Sequence, residues 1–568
     1  MARRANSRSS ATAPGAERLI PPPRGAVVRM YRIGHGDCFL LGLAGETETK
    51  PAYVLIDCGY KPGSTKMIRK GPPGPGGQLN LMPEADQPTV KEIAQNIAAA
   101  TGGRVDVAII THQHQDHVNA ITEANFGGKD DGLEIGETWF AWTEDPEDDV
   151  ADDLRRKFKG SIMGLIGARQ RLNQLAMALP EGARAEQAER LKLIDEMLAF
   201  ELGGGDEDVQ TDADGGGAPS AFAMAGALAA AAEGDSKNVK SMRLFKEKAR
   251  QGVRYIRPHD TIIKVPGAST ARAFALGPPR DPELLASLDP EGDEEFHFGI
   301  GSGASGALAM AGDGGAEERP EGAGSPFAAK YRVPLSQAGI DPRTDKFFKK
   351  TYGTSADALN VQPPAQDSTH EVLENAKFRR IDDDWLNAAE HVALDMNDQT
   401  NNSSLVLAFE LTPGGKVLLF AADAQRGNWL SWDDQPFRDG TKEITTRDLL
   451  ARTVLYKCGH HGSHNATLNG AADEKKANLS WMGNGEHARE FTALITAVRA
   501  WAETQKGWDH PLKAIKDALV KKAAGRVFQT DTDFSQMVKP DGVSDQEWKA
   551  FKDRNRGERL FFDICIVP

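Results

Sequence analysis

Three histidines and one aspartate fall within six consecutive positions of this chain: His112, His114, Asp116 and His117. The chain has only thirteen histidines in 568 residues, so the cluster is not an accident of composition. Imidazole and carboxylate suit Zn²⁺, Mn²⁺ or iron, and a turn can aim alternate side chains at two neighbouring ions. Metal coordination lowers the pKa of water from about 15.7 to roughly 7, which makes hydroxide available for hydrolysis at neutral pH. The element that must position these groups lies directly before them. Val105-Asp106-Val107-Ala108-Ile109-Ile110 is a short β-branched apolar run that reads as a buried strand, with the cluster on the turn that leaves it.

Other segments repeat a strand-then-polar-turn pattern. Gly34-His35-Gly36-Asp37 precedes Cys38-Phe39-Leu40-Leu41, and Leu55-Ile56-Asp57-Cys58-Gly59 follows. Far downstream come Asn401-Asn402-Ser403-Ser404-Leu405-Val406 and a strongly apolar run, Val417 to Ala422, that ends at Asp423. Lys457-Cys458-Gly459-His460-His461-Gly462-Ser463 and Thr530-Asp531-Thr532-Asp533 complete the series. Together these resemble, in order, the landmarks of the metallo-β-lactamase fold. The 112–117 cluster matches its H-x-H-x-D-H signature, and the others match the ComEC-type branch. ComEC-type uptake proteins join this hydrolase to a membrane channel. This chain has no run approaching the ~18–20 apolar residues of a spanning helix.

The resemblance implies an α/β chain, an αββα sandwich of the metallo-β-lactamase type with a large helical insertion, that binds two divalent metal ions, Zn or Mn. His112 and His114 would bind one ion, Asp116 and His117 the second, and Asp423 would bridge both. Either His460 or His461 would complete the second ion's shell. His461 is favoured because it directly precedes Gly462, which leaves His460 a hydrogen-bonding role. Asp116 also counts as catalytic, since with Asp423 it would reduce the charge of the site and ease product release. His464 is a candidate acid for the leaving oxygen. Asp57 is read as orienting a ligand, Asp37 as fixing a loop, and Asn402 and Ser404 as supporting or substrate-binding groups. Many relatives give the first ion a further histidine, for which the candidates are His259, His297, His370 and His391.

Residues 1–25 read as a disordered basic arm without the apolar segment of a secretory signal. Residues 26–126 form the first half of the catalytic domain, 127–253 a helical, partly low-complexity insertion, and 254–568 the second half, with a flexible loop near 298–327. The Gly/Pro-rich stretch at 71–77 reads as another flexible loop. Strands are expected near 27–33, 37–43, 52–57, 105–111, 403–423, 452–458, 526–529 and 561–567, and a strand pair over 254–277. Helices are expected near 90–101, 381–394, 489–505 and 511–523. The insertion carries a helical apolar stripe that includes Leu165, Leu172, Ile194 and Leu198, and its acidic opening, 144–149, reads as a solvated face. Four scattered cysteines fit buried thiols in a reducing cytoplasm.

A net charge of −14 argues against a broad basic footprint for duplex DNA, although divalent ions can supply positive field locally. The function read from these features is a metal-dependent hydrolase, foremost a phosphodiesterase or nuclease acting on a phosphate-containing substrate such as nucleic acid. The same activated water can attack carbon, so hydrolysis of a carboxylic ester, lactone or lactam is the alternative. A third reading makes the chain a regulated effector subunit, with a protein partner or oligomer engaged through the insertion and no membrane.

Overall fold

A computed structural model describes residues 18–47, 49–71, 79–128, 132–178, 181–204, 236–295, 346, 349–350, 389–433, 436–505 and 508–568. In chain order the strands are β1 (Ala26–Tyr31), β2 (Cys38–Thr47), β3 (Lys50–Cys58), β4 (Arg104–Ile109), β5 (Glu134–Ala141), β6 (Ala249–Ile256), β7 (Ile263–Lys264) and β8 (Arg272–Gly277). They continue with β9 (Val406–Glu410), β10 (Val417–Phe420), β11 (Phe437–Asp439), β12 (Lys442–Ile444), β13 (Thr453–Lys457), β14 (Thr492–Ile495), β15 (Val527–Gln529), β16 (Arg556–Gly557) and β17 (Phe561–Ile566). One sheet has the order β16-β17-β1-β2-β3-β4-β5-β6 and the other β15-β14-β13-β10-β9-β8-β7, while β11 and β12 form a separate hairpin. Each sheet is antiparallel on one side, and β3 to β6 and β10, β13, β14 and β15 run parallel.

Period-two alternation explains how the sheets are covered, since successive strand residues face opposite sides. Met30, Phe39, Leu41, Val54, Ile56, Val107 and Ile109 of the first sheet pack with Leu407, Phe409, Leu418 and Phe420 of the second. Phe39 and Phe420 meet edge to face with ring centroids 5.4 Å apart. Their neighbours Leu40, Leu55 and Ala108 turn the other way, onto Ile93 and Ile97 of the helix Val90–Thr101. That helix begins where Thr89 and Glu92 form a reciprocal cap and stops at Gly102, whose φ is 68°. On the far side Val406, Ala408, Leu419 and Tyr456 pack with Leu449, Leu450, Ile515 and Leu519. The result is a mixed α/β structure with helices on the outer face of each sheet.

The chain divides into two compact units. The larger comprises residues 1–155, 199–301 and 397–568 and contains both sheets; the smaller comprises 156–198 and 302–396. Within the smaller, Leu165, Leu172 and Ile194 are buried and Arg169 pairs with Asp195 (Nη2–Oδ2 3.1 Å). No helix among the described residues is long and apolar enough to cross a membrane.

Several sequence expectations need correction. Residues 18–25 are not a disordered arm: Leu19 is buried, its N–H donates to Ala100 O (2.9 Å), and its carbonyl accepts from Tyr53 Oη (3.1 Å). Residues 1–17, the 72–78 stretch and the 298–327 loop lie outside the described residues. Within 127–253, Glu134–Ala141 is not helical insertion but a central strand between β4 and β6. Over 254–277, β6 stays in the first sheet and only β7 and β8 pair. Asp148, in the expected solvated acidic face, is buried; it caps the following helix through Val150 and Ala151 N–H and pairs with Arg280. The helix expected at 489–505 is reduced to Arg499–Ala502, because Thr492–Ile495 becomes β14 and pairs between two parallel strands. The helix expected at 381–394 is described as Ala389–Asn402, so Asn401 and Asn402 end a helix rather than begin a strand.

The parallel strands set the site, because β3, β4, β10, β13 and β14 all direct their C-terminal ends to one edge. Gly36 and Gly59 allow the chain to close there. A Cβ at Gly59 would stand 2.5 Å from the backbone of Asp116 and His117, and one at Gly36 would strike Gly59 O and Asp116 O. Gly59→Ala is therefore expected to lower stability by about 1–3 kcal/mol, the usual cost of overpacking, with a parallel loss of metal affinity. Urea unfolding of the wild type and variant measures the first, and calorimetric titration with Zn²⁺ the second.

Candidate metal centre

Strand β4 ends at Ile109, and Thr111 then anchors the loop to Asp57 at the end of β3. Thr111 N–H and Oγ1–H donate to the two oxygens of Asp57 at 2.9 and 2.7 Å. Asp57 Oδ2 also meets His117 Nδ1 at 2.8 Å, which leaves Nε2 of that ring facing the centre. His112 Nδ1 is 3.2 Å from Ser404 Oγ, and His461 Nδ1 is 3.0 Å from Thr496 Oγ1. Each ring thus uses one nitrogen for the fold and turns the other inward, which is how supporting hydrogen bonds prepare histidine ligands.

Asp116, His117, Asp423 and His461, all buried, present ligand atoms within 4.8 Å of one another. Asp423 Oδ2 lies 3.1 Å from His117 Nε2, 3.4 Å from His461 Nε2 and 3.9 Å from His112 Nε2. His461 Nε2 is also 3.1 Å from Asp116 Oδ2, and His112 Nε2 is 3.0 Å from His114 Nδ1. Asp37, Asp57 and His117 form a second compact group. Asp116 Oδ1, His117 Nε2 and Asp423 Oδ2 are buried without a well-aligned hydrogen bond. Buried polar atoms normally find partners, and an uncompensated buried charge costs several kcal/mol. A cation supplies that compensation, so these residues fit a divalent metal ion.

The electrostatics of the metal-free cluster point the same way. Burial opposes a proton on His461, yet Asp423 and Asp116 push its pKa up to about 9. Burial likewise opposes protonation of His117, and Asp423, Asp37 and Asp57 raise its pKa well above the ordinary value. Asp116 and Asp423 are held well below the carboxylate range by Lys61 and by His117 and His461, against their burial. Lys457 supplies a buried charge: its Nζ lies 2.6 Å from Asp37 Oδ2 and 3.3 Å from Asp423 Oδ1. Lys61 Nζ stands 4.0 Å from Asp116.

The backbone is bent to make this possible. Asp57, Ala422, His460 and His461 adopt left-handed φ values of 52°, 48°, 38° and 52°. Such conformations are unfavourable for residues with a Cβ and gather where surrounding structure enforces a function.

The histidine pair following β13 separates cleanly. His461 enters the cluster, whereas His460 Nε2 accepts from Asn401 Nδ2 (3.2 Å) and its Nδ1 lies 3.3 Å from Asn465 Oδ1. Burial lowers the pKa of His460 to about 4, in keeping with a neutral ring. Ser404 Oγ links His112 to the Asp423 N–H, which donates to it (3.2 Å). Asn402 has no such link: it donates to Leu284, Leu285 and Ser287 carbonyls and accepts from Gln425 and Asn428 N–H groups, knitting loops together. His464 is half exposed and ion-paired with Asp289 (3.1 Å), so the structure gives it a surface pairing instead of a place in the cluster. His259 bonds to Ser431 O and packs on Phe437, His297 and His370 lie outside the described residues, and the His391 side chain is not described.

Three participants were not picked out from sequence. Lys457 sits inside a recognised motif, and an ionic residue ending an apolar strand was the available signal. His35 packs against His461 with centroids 4.5 Å apart and ring planes tilted by 49°, and it also stood in a quoted motif. Glu201, 3.0 Å from His114, lies in the last turn of the helix Glu181–Leu202 and had no local signal. Comparison of the chain with models of known families, with curated proteins and with solved structures finds no match.

Two outcomes follow for metal binding. His461→Ala should abolish tight binding of Zn²⁺ or Mn²⁺, while His460→Ala should keep it within about tenfold, the lower range for loss of a supporting group; equilibrium dialysis of the two variants separates them. His461 and His117 are protonated at pH 7 in the metal-free chain, so an entering ion must displace protons. Apparent affinity should rise with pH through about 9, the value for His461. Calorimetry in buffers of different ionisation enthalpy should register the released protons.

Proposed function

We propose that the chain is a metal-dependent hydrolase of the metallo-β-lactamase type, with an αββα sandwich and two divalent ions, Zn or Mn, acting on phosphodiesters, nucleic acids among them. The observation that carries this reading is that Asp423 Oδ2 lies within 3.9 Å of the Nε2 atoms of three histidines, His112, His117 and His461. A carboxylate so placed suits a bridge between two ions. Such ions, when bound, supply an acidified water and a positive field for the phosphoryl oxygens.

The chain's own residues account for the rest. Asp57, Thr496 and Ser404 fix the inward nitrogens of His117, His461 and His112, so no ligand ring must reorient during turnover. Burial keeps bulk water away from the cluster and strengthens its fields. Lys457 pairs with Asp37 and helps to hold Asp423 ionised, and Lys61 adds a second cation beside Asp116. Lys61, beside Asp116 and over the Phe200 ring, adds positive charge at the cluster, which is the support for an anionic phosphodiester over neutral esters or lactams.

Chelator-treated protein should be inactive and regain turnover with Zn²⁺ or Mn²⁺ on at least one of single-stranded DNA, duplex DNA, RNA, cyclic nucleotides or bis(p-nitrophenyl) phosphate. His112→Ala and Asp423→Ala should each lower that turnover by roughly 10³-fold or more, the several kcal/mol an ion contributes, with circular dichroism unchanged. A metal-loaded chain inert on the whole panel would sink the proposal.

A further inference from the structure

His114 is the cluster histidine that neither β3 nor the second sheet supports. Its Nε2 instead lies 3.0 Å from Glu201 Oε1, on a residue 87 positions downstream. Both side chains are fully buried. The second oxygen of Glu201 has no hydrogen-bond partner, so this carboxylate is paired with His114 alone among the described contacts. Phe200 packs against the His114 ring, tilted by 32°, with centroids 4.2 Å apart. Asn238 Nδ2 donates to the carbonyls of Phe200 and Glu201 (3.0 and 3.1 Å), and Gln115 Nε2 donates to Gly204 O (2.8 Å). The 200–204 segment is therefore held to the ligand loop through His114 and Gln115 and to the helix Lys237–Lys248 through Asn238.

We infer that Glu201 is a positioning residue for the metal centre: it accepts the Nε2–H of His114, fixes that tautomer, and presents Nδ1 beside His112 Nε2 as a ligand of the first ion. The inference rests on the two-ion reading above and names the group that supports the ion for which no third histidine was found. A buried carboxylate with one partner is costly by itself. The cost is offset when a cation at Nδ1 polarises the ring and strengthens the N–H bond to Glu201, the arrangement of carboxylate, histidine and metal that supports many ligand histidines. Phe200 adds a flat apolar wall that keeps the ring from turning over.

The test is metal binding by the full chain, read by calorimetry with Zn²⁺ and by the visible absorption of bound Co²⁺, so that it does not depend on turnover. Glu201→Leu removes the acceptor while keeping apolar bulk, and should weaken one of two ions by roughly 10–100-fold, the usual effect of losing such a support. The other ion, at Asp116, His117 and His461, should keep its affinity within about twofold. Glu201→Gln retains an oxygen acceptor and should recover part of the loss. Wild-type affinity for both ions in the Leu variant overturns the inference, as does a wild-type chain that binds fewer than two. A Leu variant that unfolds beside a Gln variant binding both ions normally assigns Glu201 to the fold and also overturns it. A chain that binds two ions as described yet hydrolyses nothing on the substrate panel leaves this inference standing and removes only the hydrolase reading.

Discussion

Asp423 is a carboxylate buried among imidazoles, and the rest of the site is arranged around the need to keep it charged. Burial favours the neutral acid, while His117, His461 and Lys457 hold it well below the ordinary carboxylate range. Those three groups come from two different sheets, so their convergence requires the sheets to stay packed in register. Phe39 on Phe420 is one of the contacts that maintain this packing, a few residues before Asp423. The apolar core and the ionic centre thus depend on one another: the core brings strand ends together, and the ends carry charged groups that could hold a metal ion.

Placing polar groups at strand ends has a backbone cost. Four residues in left-handed conformation, Asp57, Ala422, His460 and His461, occur where chain leaves β3, β10 and β13. Each turns the chain sharply, so that a side chain following an apolar strand points across the sheet edge. Gly36 and Gly59 remove the Cβ atoms that would otherwise push the ligand loop away. Hydrogen bonds from Thr111 to Asp57 and from Asp423 to Ser404 hold the resulting geometry.

Much of the local structure was legible in the residues. The helix at 90–101 follows from its capping pair and its terminal glycine, and strands β1 to β4 follow from apolar runs broken by polar turns. Tertiary pairing overrode local pattern elsewhere. Thr492–Ile495 lies beside helical spacing yet becomes a strand between β13 and β15, and Glu134–Ala141 gains its strand character from β4 and β6. Asn402 looked like part of a polar strand start, but its amide satisfies carbonyls of a loop more than a hundred residues earlier. No local signal announces a partner at that distance.

By itself the sequence determined which residue types stand at the ends of which apolar strands, because strand periodicity, caps and glycine turns act over a few neighbours. It thereby supplied the cluster of His112, His114, Asp116 and His117, and the resemblance of its motifs to a known family added Asp423 and the His460-His461 pair as candidates. Only the tertiary structure decided which of them meet. His461 and Asp116 are 345 positions apart in the chain yet their Nε2 and Oδ2 atoms lie 3.1 Å apart, while His460, one residue away, turns to Asn401 and Asn465. Glu201 illustrates the same limit, since its meaning arises from burial against His114 and not from its neighbours in the chain. Hydrogen bonds and ion pairs are satisfied in space, and their energies depend on the burial that folding creates.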